Sequence, residues 1–162
     1  MHQKITLRPL VESDQPFVFR VFAGARARQF ANTGLADDQL RQLMEMQHRA
    51  QQSQYRAQYP DADFDLVLVD ELPAGYLYVH RGADRLVLLD IALLQDQCGR
   101  GIGGQLVSAL IRESEQTGRP ILAHVEKQNR AWRLWQRLGF RIVDDNGVYL
   151  GIEYTSPGIT MD

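Results

Sequence analysis

Four glycines in six residues, Gly99-Arg100-Gly101-Ile102-Gly103-Gly104, stand where an apolar run gives way to an amphipathic one. Glycine lets backbone N–H groups turn inward, and a helix start behind the loop adds about half a positive charge, so the segment has the chemistry of an anion site, phosphate above all. Glycines that merely close a tight turn are the plainer alternative. A Walker loop needs Gly-Lys-Ser or Gly-Lys-Thr at its end, whereas Gly103 is followed by Gly104 and Gln105, which excludes the usual ATP or GTP cradle. Gly99, Gly101 and Gly104 do satisfy a G-x-G-x-x-G fingerprint, and Glu126 lies where a ribose-binding acid belongs, so a dinucleotide-dependent oxidoreductase is one reading. Against it, the fingerprint comes late in the chain and follows antiparallel hairpins rather than parallel crossovers.

Other residues able to do chemistry lie on the strands around the loop. Asp90 interrupts an otherwise apolar run, where burial would raise its pKa, although it could equally anchor a neighbouring loop or an arginine. His124 alternates with Leu122 and Glu126, and an imidazole with an ordinary pKa near 6.5 suits proton acceptance at neutral pH; a hydrogen-bonded structural histidine is the simpler account. The single cysteine, Cys98, excludes an internal disulfide framework, and the four histidines show no metal-ligand spacing, so no metal is expected.

The elements that must position these residues follow from periodicity. Lys4 to Arg8 reads as a strand, and Ser13 or Asp14 caps a helix with Pro16 in its first turn and an apolar stripe of Val18, Val21, Phe22 and Ala25. A half-exposed helix runs from about Asp37 to Tyr59, where Pro60 ends it. Phe64 to Val69 and Gly75 to Val79 form a hairpin, and a turn at Gly82 to Arg85 leads into a buried strand, Leu86 to Leu94. The glycines then open a helix with Leu106, Ala109, Leu110 and Glu113 on one side, stopped by Gly118 and Pro120. Ile121 to Glu126 is the next strand. Asn129 caps a helix striped by Ala131, Leu134, Trp135 and Leu138, and Gly139 ends it in the left-handed conformation. Strands Phe140 to Val143 and Val148 to Tyr154 flank Asp145-Asn146-Gly147, a hairpin signal. The fold class is therefore α/β (α+β), a mixed, mostly antiparallel twisted sheet with helices on both faces.

At 162 residues, 44% apolar and 23% charged, the chain fits one domain, 1–162, and no stretch approaches the roughly 20 apolar residues of a membrane span. Met1 to Arg8 lacks an export signal, which makes the cytoplasm the expected compartment. With 18 basic against 20 acidic side chains and no long block of one sign, the footprint of a nucleic-acid binder is missing, and a small molecule or peptide is the expected partner.

The run Asp90-Ile-Ala-Leu-Leu-Gln-Asp-Gln-Cys-Gly-Arg-Gly-Ile-Gly resembles the acetyl-CoA motif of the GNAT acyltransferases, a strand leading into an [RQ]-x-x-G-x-[GA] loop and a helix. Asn129, Ala131, Leu134, Gly139 and Phe140 are similar to the same family's N-x-A-x-x-L-[YF]-x-x-x-G-F pattern at the expected spacing, and Leu7-Arg8-Pro9 also looks like its opening. The resemblance implies an N-acetyltransferase that moves the acetyl group of acetyl-CoA to a primary amine by direct attack, with no metal. It implies that backbone groups of Ile91, Ala92 and Leu93 hold the acetyl carbonyl and pantetheine, and that the amides of Gly99, Arg100, Gly101, Ile102, Gly103 and Gly104 take the pyrophosphate. Asn129, Ala131 and Trp135 would line the pantetheine side, and a homodimer is compatible with the family.

Two departures stand out. Cys98 replaces the family's Arg or Gln, and Trp135 replaces the tyrosine that in many relatives protonates the leaving thiolate. Tyr149 or Tyr78 could take that role, and a non-catalytic acyl-CoA-binding module is the alternative. For the base, Asp90 and His124 are the candidates, with Glu126 beside them. Tyr55, Arg56, Tyr59 and Asp61 to Asp65 lie where the family places its acceptor; Trp132 and Trp135 look like core packing.

Overall fold

The computed structural model describes residues 3–31, 33–127 and 131–157. Seven strands form one mixed sheet in the order β1-β2-β3-β4-β5-β7-β6, with helices in the connections. In chain order these are β1 (Ile5–Pro9), α1 (Gln15–Arg26), α2 (Asp37–Gln58), β2 (Asp63–Val69), β3 (Leu72–Arg81), β4 (Leu86–Leu93), α3 (Ile102–Thr117), β5 (Ile121–Glu126), α4 (Ala131–Arg137), β6 (Arg141–Asp145) and β7 (Tyr149–Tyr154). Contacts group them into two compact units, Met1–Tyr78 with Asp90–Arg100, and Val79–Leu89 with Gly101–Asp162, so β3 and β4 each contribute to both.

In the first unit, β1 pairs antiparallel with β2 from Ile5↔Val69 to Pro9↔Asp65. Asp14 stands before α1 as expected, yet it does not cap the helix. Its carboxylate instead accepts both guanidinium arms of Arg8, at 2.8 and 2.9 Å, and the Val11 N–H, which holds its pKa down to about 2. Val18, Val21 and Phe22 are buried, whereas Ala25, expected in the same stripe, is exposed. Phe22 and Phe19 close over His48 of α2, with ring centroids 4.7 and 5.7 Å away. The β2–β3 hairpin is tighter than its residues suggest, because β3 begins at Leu72, not Gly75. The two turn residues, Asp70 and Glu71, take φ of 51° and 72°, a primed turn that glycine or asparagine would normally supply. Asp70 holds that shape by exchanging hydrogen bonds with Lys4, through its backbone N–H to the Lys4 carbonyl and its side chain to the Lys4 N–H. At Gly75 the backbone of β3 comes so close to β4 that an added Cβ would collide with the Ala92 carbonyl oxygen and crowd Leu93.

In the second unit, the first half of β4 runs parallel to β5 through Leu86↔Ile121, Val87↔Leu122 and Leu88↔Ala123, joined by the α3 crossover that parallel strands require. The described ladder ends there. From His124 to Glu126, β5 continues on β7, with His124 opposite Gly151. Helix α3 buries Ile102, Leu106, Val107, Leu110 and Ser114. That stripe is rotated from the expected one, since Ala109 faces solvent. Ser114 explains the shift: its buried hydroxyl donates to the Arg119 carbonyl, turning the chain after Gly118, which caps α3 at φ 71°. Arg119 then donates to the Gly82 carbonyl at 2.8 Å, and Arg81 pairs with Glu113. The last hairpin closes on Asn146, whose side-chain oxygen accepts the N–H groups of Val148 and Tyr149, and Gly147 takes φ 93°. Phe140, expected at the head of β6, precedes it and is buried against Trp135.

Candidate active site

The glycine loop leaves its backbone open. Gly99 and Gly101 adopt φ of 77° and 80°, and at Gly99, Gly101, Gly103 and Gly104 an added Cβ would meet no atom within 4 Å. Gly101 is the N-cap of α3, and the first bond of that helix runs from the Gln105 N–H to the Gly101 carbonyl at 3.0 Å. The N–H groups of Ile102, Gly103 and Gly104 therefore have no acceptor within the helix. No acidic side chain occupies the first turn to compete for them. A depression of about 540 Å³ opens beside this turn, lined by Gly101, Gly104, Gln105, Ser108, Arg112 and Leu138. Gly104, Ser108 and Arg112 are four residues apart and share one helix face, so the depression leads from the helix start to a guanidinium. Ser108 and Arg112 escape sequence reading because nothing in their spacing separates them from any solvent-facing row.

In the first unit the loop begins with Cys98 and Arg100. The Cys98 thiol points back at its own chain, 3.4 Å from the Leu94 carbonyl oxygen, and Arg100 donates to the Gln97 side chain at 3.3 Å. Upstream, Ile91, Ala92 and Leu93 follow Asp90 along β4. Asp90 is half-buried. Burial pushes its pKa up from the ordinary carboxylate range, while the Arg26 guanidinium, the Tyr76 hydroxyl and the Ile91 N–H pull it down. Tyr76 donates to Asp90 Oδ2 at 3.3 Å. Neither Tyr76 nor Arg26 is predictable as a partner from sequence, because the pairing arises only when β3 lies beside β4.

His124, Glu126, Ala131, Trp135 and Tyr149 lie in the second unit, Tyr78 and the acceptor-side residues Tyr55 to Asp65 in the first. His124 is exposed on β5, and Glu126 is half-buried two residues on. Trp135 is 6% exposed and meets Phe140 edge to face at 5.1 Å. Ala131 begins α4, and Asn129 lies outside the described residues. Of the tyrosines considered as proton donors to the thiolate, Tyr149 is exposed, while Tyr78 is buried and its phenol is pushed well above its ordinary pKa by desolvation, a poor acid. Among the described residues, no group of three His, Cys, Asp or Glu could hold a metal ion, and no helix is long and apolar enough to cross a membrane.

Comparison with known proteins points the same way as the loop. A model of the acetyltransferase (GNAT) family matches residues 33–140. No curated protein sequence matches. Among solved structures, the chain is similar to the PaiA N-acetyltransferase of Thermoplasma acidophilum in complex with coenzyme A, at TM-score 0.70 and 18% identity over 94% of this chain and 99% of that one. An acetyltransferase of Thermus thermophilus gives TM-score 0.66 at 23% identity over 94% and 97%. A GNAT acetyltransferase of Elizabethkingia anophelis with acetyl-CoA bound gives TM-score 0.59 at 15% identity over 94% and 98%.

Proposed function

Because the chain belongs to the GNAT acetyltransferase family, we propose that it is an acetyl-CoA-dependent N-acetyltransferase acting on a primary amine, in one cytoplasmic domain. The observation that carries this is the Gly99–Gly104 loop, whose left-handed glycines and acceptor-free N–H groups at the start of α3 suit a pyrophosphate. Ile91, Ala92 and Leu93 are assigned to the acetyl and pantetheine end, and Asn129, Ala131 and Trp135 to its flank. The reaction needs a neutral amine, whose nitrogen attacks the thioester carbonyl; a C–N bond forms, the C–S bond breaks and the amine proton passes to a base. Asp90 is preferred of the two candidates because burial raises its pKa and so favours the form that has taken the proton; His124 is the other. Trp135 has no acidic proton to return to the thiolate, which leaves as the anion or is protonated by water.

Thermal unfolding with acetyl-CoA, CoA and NADH in parallel tests this reading, since a ligand at about 100 times its Kd stabilises the fold by about 2.7 kcal/mol. A rise in Tm with both CoA species and not with NADH is the expected result; a rise with NADH alone overturns it. The second reading, a non-catalytic acyl-CoA-binding module, draws on Trp135 and Cys98. Tight CoA binding without acetyl transfer to any amine would favour it.

A further inference from the structure

Which amine is acetylated is open in the reading above, and a cluster in the first unit bears on it. Tyr76 and Tyr78 lie two residues apart on β3, hence on one face, and their rings stack with centroids 4.7 Å apart and planes 18° from parallel. Tyr76 is bonded to Asp90. Tyr78 meets Tyr55 and Phe64 edge on, at 6.3 and 5.1 Å, but its hydroxyl is buried without a hydrogen-bond partner; the Gln52 amide approaches it without reaching hydrogen-bond geometry. On Phe64 lies the guanidinium of Arg56, 4.4 Å from the ring centroid, which meets no carboxylate among the described residues. Along one line of contacts, Asp90, Tyr76, Tyr78, Phe64 and Arg56, the charge thus reverses from anion to cation.

A buried hydroxyl with no partner is rare in native proteins. Desolvation raises the Tyr78 pKa, so the group stays an O–H donor and the missing partner is an acceptor. A carboxylate oxygen meets that need and also answers Arg56, with the short charge-assisted bonds that guanidinium and carboxylate make. An acceptor carrying cations alone would find Arg26 already beside Asp90 and be repelled by Arg56.

We propose that the acceptor carries a carboxylate together with its primary amine, as an amino acid or short peptide does, with the carboxylate received by Tyr78 and Arg56 and the amine directed to Asp90. This rests on the acetyltransferase reading and deepens it. The test is calorimetric titration of the CoA-loaded protein, and acetyl transfer, with L-amino acids and dipeptides, their carboxamides, and spermidine as an amine without a carboxylate. The acids are expected to bind and to react with a KM at least about tenfold below that of their amides, the size of one charge-assisted hydrogen bond. Arg56→Ala and Tyr78→Phe should bring that ratio towards one while the acetyl-CoA shift in Tm persists. Tyr78→Phe should also fold as well as the parent, since its hydroxyl has no bond to lose. Equal use of acids and amides, preference for spermidine, binding of none of the acids, or a preference that survives both substitutions overturns the proposal. Failure of acetyl-CoA to shift Tm would instead remove the acetyltransferase reading, and titration without CoA still reads the acid-to-amide ratio.

Discussion

Gly101 turns the chain into α3 at φ 80°, a conformation that places any Cβ against its own carbonyl even though the surrounding space is open. Gly101→Ala is expected to lower stability by about 1–2 kcal/mol, measured in urea, and to weaken acetyl-CoA binding as well, measured as the shift in Tm. Stability lost with no change in binding would mean that the turn serves the helix alone. In the proposed role of Asp90 as base, the sign of its pKa shift sets the expected pH dependence. A carboxylate raised above its ordinary value accepts a proton only at pH above that raised value, so kcat/KM should climb with pH through a point above the usual pKa of about 4. Asp90→Asn should remove that rise and lower kcat by roughly 100-fold. If the rise survives in Asp90→Asn and vanishes in His124→Gln, the base is His124. The glycines were legible in the sequence because their spacing speaks for itself. The surroundings of Asp90 were not: Tyr76, 14 positions away, and Arg26 reach it only through the packing of strand on strand and helix on sheet.

Elements were read well wherever period and punctuation agreed. Both β1 and β5 lie within a residue of expectation, and α3 starts and stops at its glycines. Misreadings came where a local rule was broken by a partner far away. The β2–β3 turn carries no glycine, so sequence spread the connection over five residues; Asp70, tied to Lys4, enforces a two-residue turn instead. Glu71, at φ 72°, carries the strain of a left-handed side chain. Glu71→Gly should therefore raise stability by about 0.5–1 kcal/mol, an increase in the urea midpoint with an unchanged slope. A fall in midpoint would show that the glutamate side chain does more for the hairpin than its backbone costs. In α3 the stripe rotated because Ser114, polar and easily read as outward, is buried by its bond to the Arg119 carbonyl.

Across the whole molecule, the succession of elements gave the class of sheet, since a strand, a glycine loop, a helix and a strand can only be a parallel crossover set among hairpins. What succession could not give is how far each ladder runs: the described β4–β5 pairing stops after three pairs. The strand order also leaves β6 at one border, with all five residues exposed and Ile142 and Val143 about half accessible. The irregular register between Ile142 and Asp144 blunts that border against pairing with another chain. A formal charge of −2 adds little repulsion between copies. Val143→Lys should thus change stability by less than about 0.5 kcal/mol and raise the concentration at which the protein precipitates. A large loss of stability would mean that Val143 is held by more than its exposure suggests.

Gly75 joins these scales. Its hydrogen atom is all that fits between β3 and the carbonyl of Ala92, one of the three residues assigned to the acetyl end. Drift in this lineage can therefore rewrite most exposed positions while one codon in β3 stays frozen, because any side chain it encoded would force β3 away from β4 at Ala92.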